Sequence, residues 1–254
     1  MAKAGLDDPK WSLRFGGYYT IDQDGQVQIQ INGISALLDI EDTLDLEYET
    51  TVFRLDGHYR FTPEHRIEVS AYKLDSHGSK VLDESLLFPG GSTVDIGATL
   101  DSELDIDTYR FNYTYSFYHS DQVEVGISGG LHVTGMNGEL EASGSINSNP
   151  GQYEVAGSSV TAPLPVIGVR FEYAATDHIT IEFMYDLFFL EYDDYQGRYT
   201  DSQWIVEYTF DSGLGLGLGI DSTEFNVEAD DDNDVELNFD TSFLGLTAFL
   251  SYSF

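Results

Sequence analysis

Residues 244–254, LGLTAFLSYSF, end the chain with an apolar residue at every second position. These residues are Leu244, Leu246, Ala248, Leu250, Tyr252 and Phe254, and those between them are small or polar except Phe249. A period of two is that of a β-strand. Soluble proteins seldom leave such a strand uncovered, because an apolar edge promotes aggregation. A closed barrel in lipid requires a last strand of this kind, so the sequence predicts a barrel.

The chain has 254 residues and is strongly acidic, with 45 Asp plus Glu against 11 Lys plus Arg and a net charge of -34. This balance excludes nucleic acid as a partner, because its phosphates carry the same sign of charge, whereas it suits divalent cations or a cationic ligand. The 17 Tyr and 16 Phe exclude a disordered acidic chain, which would contain few aromatic residues. Since the chain has no Cys, disulfides and thiolate metal sites are excluded.

The sequence contains no run of 18 apolar residues, so no transmembrane helix is available, and a closed β-barrel is the other way to span a bilayer. The first residues, MAKAGLDD, lack the apolar region of a signal peptide, and we expect that a signal peptide has been removed. We therefore expect residues 1–10 to form a periplasmic tail and residues 11–254 to form one transmembrane domain.

Ten segments alternate between apolar and polar residues for about ten positions, which is the length of a tilted transmembrane strand. They are residues 11–19, 53–61, 66–74, 109–117, 123–133, 167–173, 179–189, 204–210, 214–220 and the C-terminal strand. Eight strands remain possible if the weaker first or sixth segment belongs to a loop. The alternation predicts an all-β, antiparallel, up-and-down barrel of about ten strands.

The connections between these segments alternate in length. Short polar turns lie at residues 62–65, 119–122, 175–178 and 211–213. The other connections are long and acidic: residues 21–50 hold eight Asp or Glu, residues 221–240 hold nine, and neither stretch has Lys or Arg. Short periplasmic turns and long extracellular loops are typical of outer-membrane barrels, and with an even strand number both chain ends lie on the periplasmic side.

The polar faces of the predicted strands carry six of the seven arginines and a nearly equal number of carboxylates. Unpaired buried charges are costly, so we expect these groups to form ion pairs that fill the lumen or line a charged constriction in a small-solute pore. A soluble barrel with its apolar face inward is the alternative, and the acidic loops and terminal Phe254 favour the membrane. The predicted lumen network is Arg14, Arg54, Asp56, His58, Arg60, Arg66, Glu68, Arg110, Glu124, Arg170, Glu172, Glu182, Asp186 and Glu207.

The opposite faces are apolar, and aromatic residues near the strand ends predict two girdles at the membrane interfaces. These residues are Trp11, Tyr19, Phe61, Tyr109, Phe117, Tyr173, Trp204, Phe210, Tyr252 and Phe254.

Residues 246–254 and the strand–turn–strand of residues 51–66 resemble the small porin-like, outer-membrane-protein-A-like β-barrels of Gram-negative bacteria. In that family a terminal aromatic residue, preceded by apolar residues at alternate positions, is the signal read by the barrel-assembly machinery. The resemblance implies that Leu250, Tyr252 and Phe254 form this signal and that the protein is a multi-pass barrel of the bacterial outer membrane. It also implies outer-membrane lipid, lipopolysaccharide and the assembly machinery as partners.

Two groups of residues that contain histidine are candidate catalytic sites. Asp56 and His58 share a face and are similar to the Asp/His pairs of omptin proteases, which are ten-stranded barrels; those pairs lie near the extracellular rim, whereas His58 lies close to a short turn. Glu124, Ser128 and His132 share a face, but positions i and i+4 of a strand are about 13 Å apart, so a triad would need partners from other strands. We expect no catalytic site, and we interpret His65, His119 and His178 as polar turn residues.

The acidic run Asp230, Asp231, Asp232 and Asp234 contains the oxygen ligands that calcium prefers, without the spacing of an EF-hand. We expect a solvated loop tip with at most loosely bound Ca²⁺ or Mg²⁺, and no other cofactor. The glycines from Gly213 to Gly219 alternate with leucines and leave space in the lumen that a neighbouring side chain or a narrow passage could occupy.

The sequence thus predicts a structural outer-membrane barrel, or a passive small-solute porin or channel with an ion-paired lumen, that is not an enzyme. Two alternatives remain open: an outer-membrane enzyme, either protease or lipid hydrolase, and a cell-surface binding protein that acts through its acidic loops.

Overall fold

The computed structural model describes residues 10–31, 34–39, 47–48, 52–87, 92–192, 195–231 and 235–254. Within these residues the chain forms ten long strands: β1 (Trp11–Ile31), β2 (Val52–Thr62), β3 (His65–Val81), β4 (Thr99–His119), β5 (Val123–Ile146), β6 (Asn149–Ala174), β7 (Ile179–Tyr192), β8 (Tyr195–Thr209), β9 (Leu214–Asp231) and β10 (Val235–Ser253). No helix in the described part of the chain is long and apolar enough to cross a membrane.

The ten strands form one closed antiparallel barrel. Each strand pairs with the next in sequence, and β10 returns to pair with β1, with Ser253 opposite Ser12. The backbone N–H of Phe254 donates to the carbonyl of Trp11 at 2.9 Å, and the N–H of Trp11 donates back at 3.0 Å. The predicted strand number, the antiparallel order and the pairing of first and last strands are therefore confirmed.

The short turns lie where the sequence predicts them and are held by their own polar side chains. At the turn between β6 and β7, the Thr176 hydroxyl accepts hydrogen bonds from the backbone N–H of His178 and of Ile179, at 3.2 and 3.0 Å. Ser120 does the same for Val123 at the turn between β4 and β5. Such local acceptors favour turns over continued strand. All short turns lie at the end of the barrel that carries Phe254.

The long connections differ from the prediction, because much of their length is strand rather than loop. β1 continues to Ile31 and β9 to Asp231, well into stretches predicted as loops. β5 and β6 continue to a two-residue turn, Asn147–Ser148, where both residues have positive φ, as a tight hairpin requires. Four short strands accompany these hairpins: Ile34–Asp39, Glu47–Tyr48, Leu86–Leu87 and Thr93–Val94. The predicted periplasmic tail, up to residue 9, lies outside the described residues.

The barrel has an apolar outer belt around a polar interior in its periplasmic half. Every aromatic residue predicted for the girdles is exposed on the outer surface, whereas the arginines Arg54, Arg60, Arg66, Arg110 and Arg170 are buried. This arrangement is the reverse of a soluble protein and is the one expected in lipid. The soluble alternative, with the apolar face inward, is therefore excluded for this half.

The extracellular half shows the opposite polarity. On β4, Asp101 and Glu103 face outward and are exposed, whereas Leu100 and Ile106 are buried in an apolar cluster inside. Val94, on the short strand Thr93–Val94, belongs to the same cluster. The core of the protein therefore lies within the extracellular half of the barrel and its hairpins.

Candidate functional site

The periplasmic half of the lumen is filled by ion pairs between facing strands. Arg14 of β1 reaches Glu182 of β7 and Glu207 of β8, with 2.6 Å between Arg14 Nη2 and Glu207 Oε2. These carboxylates lie 168 and 193 positions along the chain from Arg14. Only the closure of the barrel brings the three residues together.

A second group joins two arginines through a shared carboxylate. Glu68 lies 2.6 Å from Arg66 Nε and 3.0 Å from Arg170 Nε. Arg66 also contacts Glu172, and Arg170 donates two parallel hydrogen bonds to Asp186 at 2.7 and 2.9 Å. This bidentate geometry suits the planar guanidinium, and each of the three carboxylates contacts at least one of the two arginines.

Glu124 lies near the periplasmic end of the lumen and is only 1% exposed. It accepts hydrogen bonds of 2.9 and 3.1 Å from Arg60, and its Oε2 lies 3.0 Å from His119 Nδ1. His119 therefore contacts the buried network, whereas the sequence suggested only a polar turn residue. The other turn histidines stay at the rim: His65 Nδ1 lies 2.6 Å from the Tyr113 hydroxyl, and His178 Nδ1 lies 3.0 Å from a backbone carbonyl.

A further charged layer crosses the middle of the barrel and contains two residues that the sequence analysis missed. Asp201 accepts hydrogen bonds of 2.6 and 3.1 Å from Arg110. Asp221 lies 3.2 Å from Arg54, which also donates to Asp56 at 2.8 and 2.9 Å. Both missed aspartates continue the inward face of β8 or β9 beyond the predicted strand, so extending the alternation would have found them.

His58 faces the lumen as predicted but does not join an ion pair among the described residues. Its Nε2 is buried without a hydrogen-bond partner there. Asp56, which the sequence placed beside it in an omptin-like pair, is bound by Arg54 instead. The interpretation of His58 as an ion-pair member is therefore wrong for the described part of the chain.

The predicted grouping of Ser128, His132 and Glu124 is also rearranged. Ser128 donates to Asp186 at 3.2 Å, and His132 Nε2 lies 3.6 Å from the other oxygen of Asp186. His132 Nδ1 lies 3.3 Å from the Tyr199 hydroxyl. The carboxylate therefore lies between serine and histidine, whereas nucleophilic catalysis requires the histidine in that position.

Phe249 fills the space that Gly217 of β9 leaves. Its ring packs where a Cβ on Gly217 would lie, and the Arg14 guanidinium lies 4.9 Å from the ring centroid. Tyr18 occupies the corresponding space beside Gly245. The question that the sequence left open is answered: aromatic side chains, together with the ion pairs, occupy the lumen.

In the part of the lumen that the structure describes, two cavities lie on either side of the layer of Arg54 and Arg110, which lines both. The lower cavity, of about 90 Å³, is lined by charged and polar groups that include Arg14, His58 and Asn112. The upper cavity, of about 80 Å³, lies toward the extracellular end and has a largely apolar lining. That lining includes Tyr18, Val52, Tyr72, Leu74, Ile106, Met136, Tyr199, Phe225 and Phe243.

The remaining predicted residues lie at the two ends of the barrel. Leu250, Tyr252 and Phe254 are exposed on the outer surface, and their role as an assembly signal stays a prediction. Asp230 and Asp231 end β9, opposite Glu236 and Val235. The other two candidate metal ligands, Asp232 and Asp234, lie outside the described residues.

The closed barrel, its apolar outer belt and its ion-paired interior define a transmembrane β-barrel with the fold of the outer-membrane proteins of Gram-negative bacteria. The chain is similar to the outer membrane protease OmpT from Escherichia coli, with a TM-score of 0.58 and 12% identity over 98% of each chain. This likeness shows the fold alone.

Weaker similarity extends to two other barrels. The outer membrane protein OprG from Pseudomonas aeruginosa matches with a TM-score of 0.38 and 10% identity, over 97% of this chain and 98% of that one. Ail, the attachment invasion locus protein of Yersinia pestis, matches with a TM-score of 0.32 and 12% identity, over 96% and 99%. Comparisons with protein-family models and with curated proteins gave no match.

Proposed function

We propose that this barrel binds a small, uncharged and largely apolar molecule in the upper cavity, above a lumen closed by ion pairs. The observation that carries the proposal is the change of lining along the lumen. Below the layer of Arg54 and Arg110 the lining is mostly charged and polar, and above it the lining is mostly aliphatic and aromatic. Apolar concave sites with a few polar groups are typical of small-molecule binding.

The floor of the upper cavity favours a neutral ligand over an anion. Arg110 is paired with Asp201 and Arg54 with Asp221, so the two positive charges are compensated. The centroid of the Tyr72 ring lies 5.7 Å from Arg54 Cζ and 5.2 Å from Arg110 Cζ. An additional anion would be placed beside two buried carboxylates, which is unfavourable.

One polar group of this floor has no protein partner among the described residues. Arg110 Nε is buried without a hydrogen-bond acceptor there. A buried donor normally finds an acceptor. A ligand with one carbonyl, ether or hydroxyl oxygen on an apolar body would satisfy it, and this single polar contact would orient the molecule.

The size of the cavity limits the ligand. A volume of about 80 Å³ is roughly half that of the apolar cavity of about 150 Å³ that accommodates benzene in another protein. A single aromatic ring therefore requires a side chain to move. Met136 lines the cavity, and its unbranched thioether can adopt another rotamer at little cost.

Dye binding to the refolded barrel tests the proposal. The probe is a neutral benzonitrile dye with a single aromatic ring, whose fluorescence depends on the polarity of its surroundings, titrated into the protein in vesicles, with protein-free vesicles subtracted. Met136→Trp fills the cavity, and we expect it to weaken binding by at least about tenfold, or about 1.4 kcal/mol. Leu131→Trp is the matched control, because Leu131 lies on the same strand but is exposed on the outer face. Unchanged affinity in the Met136 variant, or equal loss in both variants, would overturn the proposal.

A further inference from the structure

The wall of the barrel is not paired along its whole height between β6 and β7. These strands pair from Ala174 opposite Thr180 up to Ile167 opposite Leu187. Among the described residues, β6 above Ile167 pairs only with β5, and β7 above Leu187 pairs only with β8. The two hairpins therefore separate at this height.

Two prolines lie where the pairing stops. The backbone N–H of Ala174 donates to Gln122, on the β5 side. Alternate residues of a strand point their N–H groups to opposite sides, so Pro165 and Pro163 occupy positions whose N–H would face β7. Proline has no N–H to donate, and the next two hydrogen bonds from β6 to β7 therefore cannot form. The two prolines therefore cause the strands to separate here.

This separation lies within the lipid-facing belt. Pro165 is opposite Leu131 of β5, which is opposite Phe111 of β4. Leu131 and Phe111 are both exposed on the outer face. Phe189, on the β7 side of the separation, is also apolar and is 63% exposed. The unpaired wall is therefore at the level of the extracellular leaflet.

The separation opens toward the upper cavity. Leu164 and Val166, just behind it, are buried in a cluster with Tyr199, and Phe188 and Phe225 pack against this cluster. Tyr199 and Phe225 also line the upper cavity. A continuous series of apolar side chains thus connects the outer leaflet to the cavity.

We propose that the unpaired wall between residues 163–166 of β6 and residues 188–190 of β7 is a lateral portal. Small apolar molecules exchange through it between the outer leaflet and the upper cavity. Leu164 and Phe188 close the portal and move aside for passage. This inference rests on the proposed function and adds the route, which avoids both the charged layer below and the acidic surface above.

Cross-linking tests the portal, and the absence of Cys in the chain makes the experiment specific. Cysteines at Ile167 and Phe189, which are both exposed on the outer face at the lower edge of the separation, leave the two prolines in place and can be joined with a short bismaleimide. Cysteines at Val169 and Tyr185 are the matched control, because these residues are directly opposite within the paired wall. The measurement is the rate at which the single-ring benzonitrile dye, preloaded in vesicles, enters the barrel, together with its equilibrium affinity.

We expect cross-linking across the separation to slow dye entry by at least about tenfold with unchanged affinity, because a closed gate limits the rate and not the equilibrium. The control cross-link should leave the rate unchanged. The double change Pro163→Val and Pro165→Val restores both donors and should slow entry without any cross-link. Unchanged rates in both the cross-linked and the valine variants, or equal slowing in the control, would overturn the portal and leave the binding function intact. Absence of dye binding in the unmodified barrel would overturn both.

Discussion

Removal of Asp201 should destabilise the barrel more than removal of an equivalent surface aspartate. Asp201 is 3% exposed, and it accepts hydrogen bonds from Arg110 at 2.6 and 3.1 Å and from Thr223 at 2.7 Å. Asp201→Ala leaves the buried guanidinium of Arg110 without its carboxylate. Breaking one partner of a buried ion pair typically costs about 3–5 kcal/mol, and we expect a loss in this range.

Asp101→Ala is the matched control, because Asp101 is exposed above the membrane belt and is bound by the hydroxyl of Ser79. Its removal should cost less than about 0.5 kcal/mol, as is usual for surface positions. The double variant Arg110→Met with Asp201→Leu removes both charges. It should recover most of the stability, since apolar residues often replace a buried ion pair without loss.

Urea unfolding in lipid vesicles, followed by tryptophan fluorescence, measures these differences. With a slope of about 3 kcal/mol per molar urea, the Asp201 variant should unfold at a midpoint lower by about 1–1.7 M. A loss of less than about 1 kcal/mol would refute the reasoning, because it would mean that water or another carboxylate screens Arg110. A double variant no more stable than Asp201→Ala would refute it as well, because the cost would then come from lost packing rather than from the charge.

Two further predictions concern the lumen and the extracellular segment. Phe249→Gly removes the ring that packs against Gly217, so single-channel conductance in a planar bilayer should rise from near zero; steady conductance of the unmodified barrel would contradict a closed lumen. Hydrogen bonds from the Ser145 hydroxyl and a backbone N–H hold the pKa of Asp95 below its ordinary value of 3.8. The contribution of these hydrogen bonds to the attachment of the segment is therefore retained above about pH 4 and lost as pH falls through the lowered pKa. A fluorophore at Ser92→Cys should report this weakening, and Asp95→Asn should remove its pH dependence.

The period of two was sufficient to predict the architecture. The last strand, at the C-terminus, could be matched with the first strand, which begins at Trp11, because a barrel must close. The structure pairs these two strands. The alternation of side chains along a strand is also sufficient to predict that Arg14 and Glu124 face the lumen. Alternation gives no information on tilt, however, so it cannot show that Arg14 meets Glu182 across the barrel rather than a neighbour on β2.

Most of the features that the sequence did not predict follow from strands that continue beyond the membrane. The strands were expected to end where the membrane ends, since about ten residues suffice to cross it, whereas β5 has 24 residues and β6 has 26. For that reason the sequence did not predict the inward positions of Asp201 and Asp221 or the apolar interior of the extracellular half. Pro163 and Pro165 were visible in the sequence, but their effect depends on which side of β6 their nitrogen atoms face.

The reversal of polarity along the same strands accounts for the position of both proposed features. Within the belt, lipid covers the outside of β4 at Phe111 and the inside must hold charged pairs; above it, water covers Asp101 and the inside becomes apolar around Leu100 and Ile106. An apolar cavity inside and apolar lipid outside can meet only near the height at which the polarity of the inner and outer faces reverses. The prolines of β6 interrupt the wall near that height, at the level of Phe111. A portal placed lower would open onto ion pairs, and one placed higher would open onto an acidic surface, so the lateral route has a single level at which it can connect lipid with the cavity.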